Sequence, residues 1–385
     1  MKILVVFGTR PEAIKMAPLV HALKADSRLH TVVCVTAQHR EMLDQVLQIF
    51  EITPDIDLNL MRPGQDLSDV TSGVLLGMRQ VLKDEQPQAV LVHGDTTTAL
   101  ATAMAAFYAG IPVGHVEAGL RTHDLQAPFP EEFNRQVISK IARWNFAPTA
   151  SSKQNLLDER ADPTTITVTG NTVIDALLWV DQRIEKDGDR KARITEFLNG
   201  CLPFDWLTRR FVLITGHRRE NFGEGFLAIC EALRALALAF PDVHFVYPVH
   251  LNPNVQKPVY GLIADLPNIH LIKPLEYEPF SYLLKHAYLV LTDSGGIQEE
   301  APSFGKPVLV MRDVTERPEA VDAGTVRLVG AHKDKIIASV TELLLDTEVY
   351  NAMSRAHNPY GTGVACGLIV GVLAHHAQAQ SNTQT

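Results

Sequence analysis

Acidic side chains follow several short apolar runs of this chain, at points where a buried strand is expected to end. Asp95 follows the run 89–93, Glu117 closes the run 112–117, and Glu131 opens a helix directly after Pro130. Acids gathered at one edge of a sheet are costly unless a cation or a bound proton compensates them. We therefore expect at least one of these three carboxyl groups to have a raised pKa and to move a proton near neutral pH.

Each of these acids also has a structural interpretation. Asp95 stands where it could cap a helix, although Thr96 to Thr98 could cap the same helix equally well. Acids in a first helical turn, such as Glu131, are ordinary partners of the helix dipole. The sequence leaves both interpretations open for each acid.

Two further segments combine glycine with cationic side chains and predict contacts to an anion. Gly8 to Glu12 follows the first apolar run and opens a helix, so its N–H groups can face an anion, with Arg10 and Lys15 adding charge. Gly216 to Asn221 places His217, Arg218 and Arg219 after a second such run, and is the stronger signal. A plain turn with solvated side chains is the alternative for both. The Gly-x-Gly-x-x-Gly pattern of dinucleotide folds is missing after the first run, which argues against NAD or FAD.

The most specific segment is Thr292 to Pro302. Ser294, Gly295 and Gly296 place small residues and N–H groups at a helix start, which suits a diphosphate. Glu300 follows about one turn later and could accept both hydroxyls of a ribose, while Arg317 adds cationic reach beside a proline. His250 lies in a proline-rich loop that is also explained as a rigid turn.

These segments need strands to position them. β-branched runs alternate with amphipathic helical patterns along the chain, which predicts parallel sheets covered on both faces. Since 385 residues exceed one compact core, we predict an α/β protein of two Rossmann-like domains facing a central cleft. The predicted boundaries are 1–170, 171–357 and a C-terminal tail 358–385 that packs back across the N-terminal domain, with 378–385 as a frayed polar end.

Composition excludes several classes of function. A formal charge of −9, without a Lys/Arg-rich run, argues against nucleic-acid binding. The first apolar run is too short for a signal peptide, and 364–374 is too short to span a bilayer, so no membrane association is expected. The four cysteines are widely spaced, which argues against a zinc site or a disulfide framework and fits a cytoplasmic protein.

Taken together and in order, these segments closely resemble the non-hydrolysing UDP-N-acetylglucosamine 2-epimerases, over residues 1 to about 361. The matching segments are Gly8 to Glu12, Gly94 to Thr96, His115 to Arg121, Pro130 to Glu132, Gly216 to Asn221 and Asp293 to Glu300. The resemblance implies a GT-B fold, with UDP bound mainly by the C-terminal domain and the sugar facing the N-terminal domain. It implies no metal and no nicotinamide cofactor, and a homodimer.

The resemblance also implies roles for individual residues. The candidate catalytic set is Asp95, Glu117, Glu131 and His217. Substrate contacts would fall to Arg10, Lys15, Phe280, Ser294, Gly295, Gly296, Glu300 and Arg317. A second UDP-N-acetylglucosamine acts as an activator in the family, and the matching positions are Gln38, Arg62, Arg218 and His250. Thr362 and Leu368 depart from the family's pattern near its end, where that pattern has an acid and an arginine.

The reaction implied is reversible epimerisation at C2 of the sugar. Because the C2 proton is poorly acidic, the family eliminates UDP across C1–C2, forms 2-acetamidoglucal, and re-adds UDP with protonation from the other face. Asp95 or Glu117 would be the base, Glu131 its partner, and His217 the residue at the phosphates. A GT-B glycosyltransferase, a hydrolysing epimerase and a non-enzymatic sugar-nucleotide sensor are the alternatives.

Overall fold

The chain divides between Trp179 and Val180 in a computed structural model that describes residues 1–37, 40–60, 62 and 64–382. One unit comprises Met1–Trp179 together with the chain from Tyr360 onward, and the other is Val180–Pro359. The sequence places this boundary near residue 170 instead. The difference arises because residues just beyond 170 contact the first unit: the Asn171 N–H donates to the Tyr360 carbonyl (2.8 Å) and Trp179 stacks on His21.

The described part of the first unit holds one parallel sheet of seven strands in the order β3-β2-β1-β4-β5-β6-β7. The strands are β1 (Lys2–Phe7), β2 (His30–Val35), β3 (Ile56–Asp57), β4 (Ala89–His93), β5 (Val113–Val116), β6 (Trp144–Ala147) and β7 (Ile166–Val168). The helices are α1 (Arg10–Ala25), α2 (Arg40–Ile49), α3 (Leu67–Glu85), α4 (Thr97–Tyr108), α5 (Glu131–Ile141), α6 (Ala150–Asp158) and the first part of α7 (Thr172–Lys186), within which the chain divides.

The central strands of this sheet are buried and mostly apolar because helices cover both faces. Residues 3–7 of β1 and all of β4 and β5 are buried. Helix α4 is rich in alanine and buries most of its residues, which lets it pack closely against α3 and α5. Burial of these apolar runs is the main stabilising contribution to the unit.

The second unit has a parallel sheet of six strands in the order β10-β9-β8-β11-β12-β13. The strands are β8 (Phe211–Thr215), β9 (His244–Pro248), β10 (Ile269–Ile272), β11 (Leu289–Thr292), β12 (Val308–Val310) and β13 (Val326–Leu328). The helices are α8 (Gly188–Cys201), α9 (Glu224–Ala239), α10 (Pro253–Ile263), α11 (Tyr277–His286), α12 (Gly295–Glu300), α13 (Pro318–Asp322), α14 (Lys333–Leu345) and α15 (Thr347–Ser354). The predicted α/β class with two Rossmann-like units is confirmed.

The last helix, α16 (Ala365–Asn382), belongs to the first unit and contacts α1. Asp175 accepts the Cys366 N–H (2.9 Å) and so holds the first turn of this helix. Thr362 and Leu368, where the chain departs from the family's pattern, are both exposed. No helix in the described ranges combines the length and the apolar character that crossing a bilayer requires.

One local prediction is wrong. The segment 378–385, predicted to be frayed, continues α16 as far as Asn382, and residues 383–385 lie outside the described residues. The polar stretch 187–193 is also helical and belongs to α8, because the Asp187 side chain accepts the Arg190 N–H (3.0 Å) and caps that helix. Polarity at 187–193 marks an exposed helical surface rather than an irregular chain.

Candidate functional site

Three neighbouring strands of the first sheet end beside one another. Strands β1, β4 and β5 are adjacent and parallel, so the residues that follow Phe7, His93 and Val116 emerge at the same edge. This edge carries the segments predicted to be chemical, including Asp95 and Glu117. The expectation that strand ends gather these acids is confirmed.

Glu12 occupies the amide groups that the sequence assigns to an anion. The Gly8 and Thr9 N–H groups donate to its carboxylate (2.9 and 2.8 Å), and the Thr96 hydroxyl donates to its second oxygen (2.5 Å). Thr9 and Glu12 form a capping box at the start of α1. The prediction that these N–H groups face a ligand is therefore corrected, and Arg10 and Lys15 remain as the cationic contribution of this segment.

Glu117 is held ionised by a set of donors. Its Oε2 pairs with the Lys15 ammonium, accepts the Asn171 side-chain N–H (2.9 Å) and lies 3.6 Å from His93 Nε2. Burial by itself would raise the pKa of Glu117, but the charge of Lys15 and its contact with His93 hold that pKa well below the usual range. This carboxylate keeps its negative charge across the neutral range.

The backbone of Glu117 is strained. Its φ is +65°, in the left-handed region that residues other than glycine rarely adopt. Such strain persists only where the surrounding structure over-determines it, and it clusters at functional sites. The conformation turns the chain sharply at the end of β5, directly above the sheet edge.

Asp95 is not used as a helix cap. The Thr96 hydroxyl accepts the Ala99 N–H (3.0 Å) and caps α4, which leaves the Asp95 carboxylate near Arg135, at 3.3 Å from Nη1. Burial, together with the charges of Glu117 and Glu131, raises the pKa of Asp95 to about 6 against the opposing charges of Arg135 and His93. The prediction that one of the three acids has a raised pKa is confirmed for Asp95.

The two glutamates that open α5 differ in their surroundings. Glu132 is fully buried, accepts the Thr122 N–H (3.0 Å) and pairs with Arg135 Nε (2.7 Å). Burial opposes its charge, yet the hydrogen bond from the Gln136 side chain (2.7 Å), followed by those from Thr122 and Arg135, lowers the pKa of Glu132 to about 2, which makes it part of the framework. Glu131 begins the helix, half-buried, and its charge acts on Asp95. The predicted pair thus separates into a structural acid and one beside Asp95.

Several residues of this edge escaped the sequence interpretation. His93, Asn171 and Arg135 contact the predicted acids, and none of them was singled out. Asn171 follows β7, a strand too short to predict, although strand-end position is the same signal that identified Asp95.

His115 is wholly buried and supports the loop at the end of β4. Its Nε2 donates to the Gly94 carbonyl (2.7 Å), and burial lowers the pKa of His115 to about 3, so the ring is neutral.

In the second unit, the ends of β8 and β11 lie side by side and carry the other predicted segments. Asp293, fully buried, accepts the N–H groups of His217 (2.9 Å) and Arg218 (2.8 Å). A single carboxylate thereby joins two segments that are about 75 residues apart in the chain. The sequence interpretation named Asp293 within a segment but gave it no role.

His217 lies in this loop with 43% of its side chain exposed, and its Nδ1 is 3.5 Å from Asp293 Oδ1. Its ring stacks on that of His250, with centroids 5.4 Å apart. Burial lowers the pKa of His217, with His250 and Arg218 adding to the effect while Asp293 opposes it. The ring is therefore mainly neutral at pH 7 in this structure.

The predicted diphosphate segment has the predicted local form. Helix α12 begins at Gly295, and the Ser294 N–H donates to Thr292 Oγ1 (2.9 Å). A Cβ added at Gly295 would come within 2.6 Å of the Arg317 guanidinium, whereas nothing lies within 4 Å of one added at Gly296. Arg317 is held by Glu299 (2.6 Å between Nε and Oε1), so Gly295 allows its close approach.

The remaining predicted residues lie as follows. Glu300 is buried at the end of α12, and Phe280 is half-buried in the first turns of α11. Among the positions assigned to an activator, Arg218 and His250 accompany His217, Arg62 is exposed in the first unit, and Gln38 lies outside the described residues. Within the described ranges no group of three or more His, Cys, Asp or Glu side chains could hold a metal ion.

Comparison with known proteins identifies close relatives. The family described as UDP-N-acetylglucosamine 2-epimerase matches residues 21–374. A protein of Ralstonia solanacearum, "Probable UDP-N-acetylglucosamine 2-epimerase", is 61% identical over 96% of this chain and 97% of its own length. The UDP-N-acetylglucosamine 2-epimerase of Escherichia coli K12 is 58% identical over 98% of this chain and 99% of its own length.

Solved structures agree with this similarity. The crystal structure of UDP-GlcNAc 2-epimerase from Neisseria meningitidis bound to UDP-GlcNAc has a TM-score of 0.88 and 52% identity, covering 97% of this chain and 99% of that one. The Methanocaldococcus jannaschii enzyme in complex with UDP-GlcNAc and UDP has a TM-score of 0.80 and 33% identity, covering 97% of this chain and all of that one (100%). The GT-B type of fold is confirmed by these structures.

Proposed function

The chain belongs to the UDP-N-acetylglucosamine 2-epimerase family, and from this membership we propose that it interconverts UDP-N-acetylglucosamine and UDP-N-acetylmannosamine by elimination and re-addition of UDP. The isomerase activity itself is supported by the relatives at 52–61% identity. We propose in addition the mechanism of the reaction and the role of each residue in it.

One observation supports proton transfer by the first unit: two carboxylates at one sheet edge have pKa values moved in opposite directions. Asp95 has a pKa of about 6, and Glu117 is kept ionised beside Lys15. Pairs of acids whose surroundings separate their pKa values mark sites where protons are moved. A base works best when its pKa is close to the operating pH, which favours Asp95 over Glu117.

We propose that the Asp95 carboxylate takes the proton from C2 while the C1–O bond breaks and UDP leaves with the bonding electrons. The product is 2-acetamidoglucal and a protonated Asp95. Glu131 begins the cycle protonated and delivers its proton to the opposite face of C2 while UDP re-adds at C1, which completes the inversion. The proton on Asp95 then passes through solvent to Glu131, so both carboxyl groups return to their starting states. Glu117, permanently charged, stabilises the positive charge that develops at C1.

The second unit is proposed to hold UDP. Ser294, Gly295, Gly296 and Arg317 would contact the phosphates, Glu300 the ribose, and Phe280 the nucleoside, while Arg10, Lys15 and His217 complete the charge around the diphosphate. A Gly-rich helix start beside a fixed arginine supports this, because it concentrates N–H groups and positive charge at one point. Bound diphosphate is thereby stabilised most when it leaves the sugar.

Three further proposals rest on the family resemblance. A second UDP-N-acetylglucosamine acts as activator at Gln38, Arg62, Arg218 and His250; the Methanocaldococcus relative was solved with UDP-GlcNAc and UDP together. The protein forms a homodimer and works in the cytoplasm, supplying an N-acetylmannosamine nucleotide for polysaccharide synthesis. Kinetics at rising substrate concentration test the activator site, and mass photometry tests the homodimer.

A single assay tests the reaction against its rivals. Purified protein is incubated with UDP-N-acetylglucosamine alone in heavy water and followed by proton NMR. Deuterium at C2 of both nucleotide sugars, in a mixture of the two epimers, is the expected result. Inertness until an acceptor is added would instead indicate a glycosyltransferase, and accumulation of free N-acetylmannosamine with UDP would indicate a hydrolysing epimerase.

A further inference from the structure

The two oxygens of Asp293 have different surroundings. Oδ2 accepts the backbone N–H groups of His217 and Arg218 and lies 3.3 Å from the Asn221 side-chain nitrogen. Oδ1 is buried, lies 3.5 Å from His217 Nδ1, and has no hydrogen-bond partner among the described residues. A buried carboxylate oxygen without a donor is costly, so its retention beside an imidazole needs a reason.

The imidazole is the nearest group that can supply that donor. Its pKa is lowered by burial and by the neighbouring His250 and Arg218, and Asp293 is the group that opposes this lowering. These three side chains are the charged or titratable groups that act on the ring from the elements around it. Asp293 is therefore the one neighbour that favours a proton on His217.

We infer that Asp293 is a positioning residue for His217. This inference rests on the proposed function in one respect, namely that the ligand is a diphosphate. When the nucleotide binds, Asp293 Oδ1 accepts a hydrogen bond from the Nδ1–H of the ring, which fixes the tautomer and leaves Nε2 for the ligand. A carboxylate on one ring nitrogen is the general means of orienting a histidine and of stabilising its charged form.

This arrangement gives His217 a defined chemical task. With Nδ1 committed to Asp293, Nε2 meets the departing diphosphate and takes up a proton from solvent, to which 43% of the side chain is exposed, as negative charge builds on the leaving oxygens. The imidazolium so formed is stabilised by Asp293 Oδ1. The hydrogen bonds from the His217 and Arg218 N–H groups to Oδ2 keep the loop 216–218 in place while the ring is protonated. The Asp293 side chain therefore both holds the loop and pairs with the His217 ring.

The substitution Asp293→Asn separates these two tasks. The amide oxygen still accepts the N–H groups of His217 and Arg218, but the amide NH₂ that replaces Oδ1 donates to Nδ1 instead of accepting from it. The proton of the neutral ring is thereby forced onto Nε2. We expect kcat to fall at least roughly tenfold with KM little changed, since the partner of a catalytic histidine is lost while binding contacts remain.

The decisive readout is the ¹⁵N spectrum of the His217 ring in the protein saturated with UDP. A proton on Nδ1 in the wild type, and on Nε2 in Asp293→Asn with a lower imidazole pKa, is the expected result. Tyr247→Phe is the matched control, because the Tyr247 hydroxyl donates to the Gly216 carbonyl (3.1 Å) in the same loop, and no hydrogen bond joins it to Asp293 or His217 among the described residues. It should lower the melting temperature and leave the tautomer unchanged.

A wild-type ring protonated on Nε2 alone overturns the inference, and this measurement needs no variant to fold. An unchanged tautomer and pH profile in Asp293→Asn also overturns it. The result is separable from the reaction itself: a UDP-bound protein with the expected tautomer but no epimerisation in heavy water contradicts the proposed function and leaves the role of Asp293 intact.

Discussion

The two strand-end regions of this protein obtain their properties in different ways. In the first unit, side chains as far apart in the chain as Lys15 and Asn171 contact Glu117. The backbone of Glu117 is strained, and the carboxyl groups of Glu117 and Asp95 both have displaced pKa values. In the second, a buried Asp293 and a run of small residues arrange backbone amides with little strain. Proton transfer requires perturbed side chains, whereas anion binding requires ordered N–H groups, and the two regions differ accordingly.

The largest expected effect comes from Asp95→Asn, which removes the proposed base. We expect a loss of at least roughly 10²-fold in kcat, the usual scale for a positioned proton-transfer group. Because Thr96 caps α4 in its place, the melting temperature should not fall. Steady-state kinetics and thermal unfolding measure both quantities, and turnover close to that of the wild type would remove Asp95 from the mechanism.

The wild-type pH profile offers a second test of the first region. Burial raises the pKa of Asp95 to about 6, so the ionised form that accepts a proton is lost as the pH falls through this value. We expect kcat/KM to decline about tenfold per unit below pH 6. An activity that instead rises on acidification would make Asp95 the acid and Glu131 or Glu117 the base.

Lys15→Met tests how Glu117 is kept ionised. Without the ammonium, burial dominates and the pKa of Glu117 rises, so its charge is lost at a higher pH than in the wild type. We expect about a tenfold loss in kcat/KM at pH 7, with the acid limb displaced upward. Lys24→Met, at an exposed site in the last turn of the same helix, is the control and should leave the pH profile unaltered.

The smallest effect is expected in the second region, from Gly295→Ala. The new Cβ would meet the Arg317 guanidinium at 2.6 Å and displace it from the helix start. We expect UDP affinity to fall up to about tenfold, or 1.4 kcal/mol, with kcat less affected. Gly296→Ala has open space and should bind UDP nearly as the wild type does; equal losses in both variants, by calorimetry, would contradict the assigned contact.

Much of this protein was predictable from local pattern. Apolar runs with polar ends located the strands that position Asp95, Glu117, His217 and Ser294. A parallel strand covered on both faces is a continuous run of apolar residues, and polar residues begin where the strand ends. Strands β3, β6, β7 and β13 were missed, and with them Asn171, since two to four residues carry little periodic signal. The polar end of α16 was mistaken for a frayed tail for the related reason that polar helical segments resemble irregular chain in composition.

The sequence by itself determined the fold class, the family and the residue types available for proton transfer and anion binding, because these depend on patterns of neighbouring residues. Only the tertiary structure decided the state of each group. Nothing in the sequence separates Glu12 and Glu132 from Glu117 and Glu131, since all four are glutamates in predicted segments. In the structure, however, the carboxylates of Glu12 and Glu132 accept backbone N–H groups, and Glu132 also pairs with Arg135. Whether a carboxylate is framework, a fixed charge or a carrier of protons depends on the donors and the burial that distant segments supply, and no local pattern encodes these.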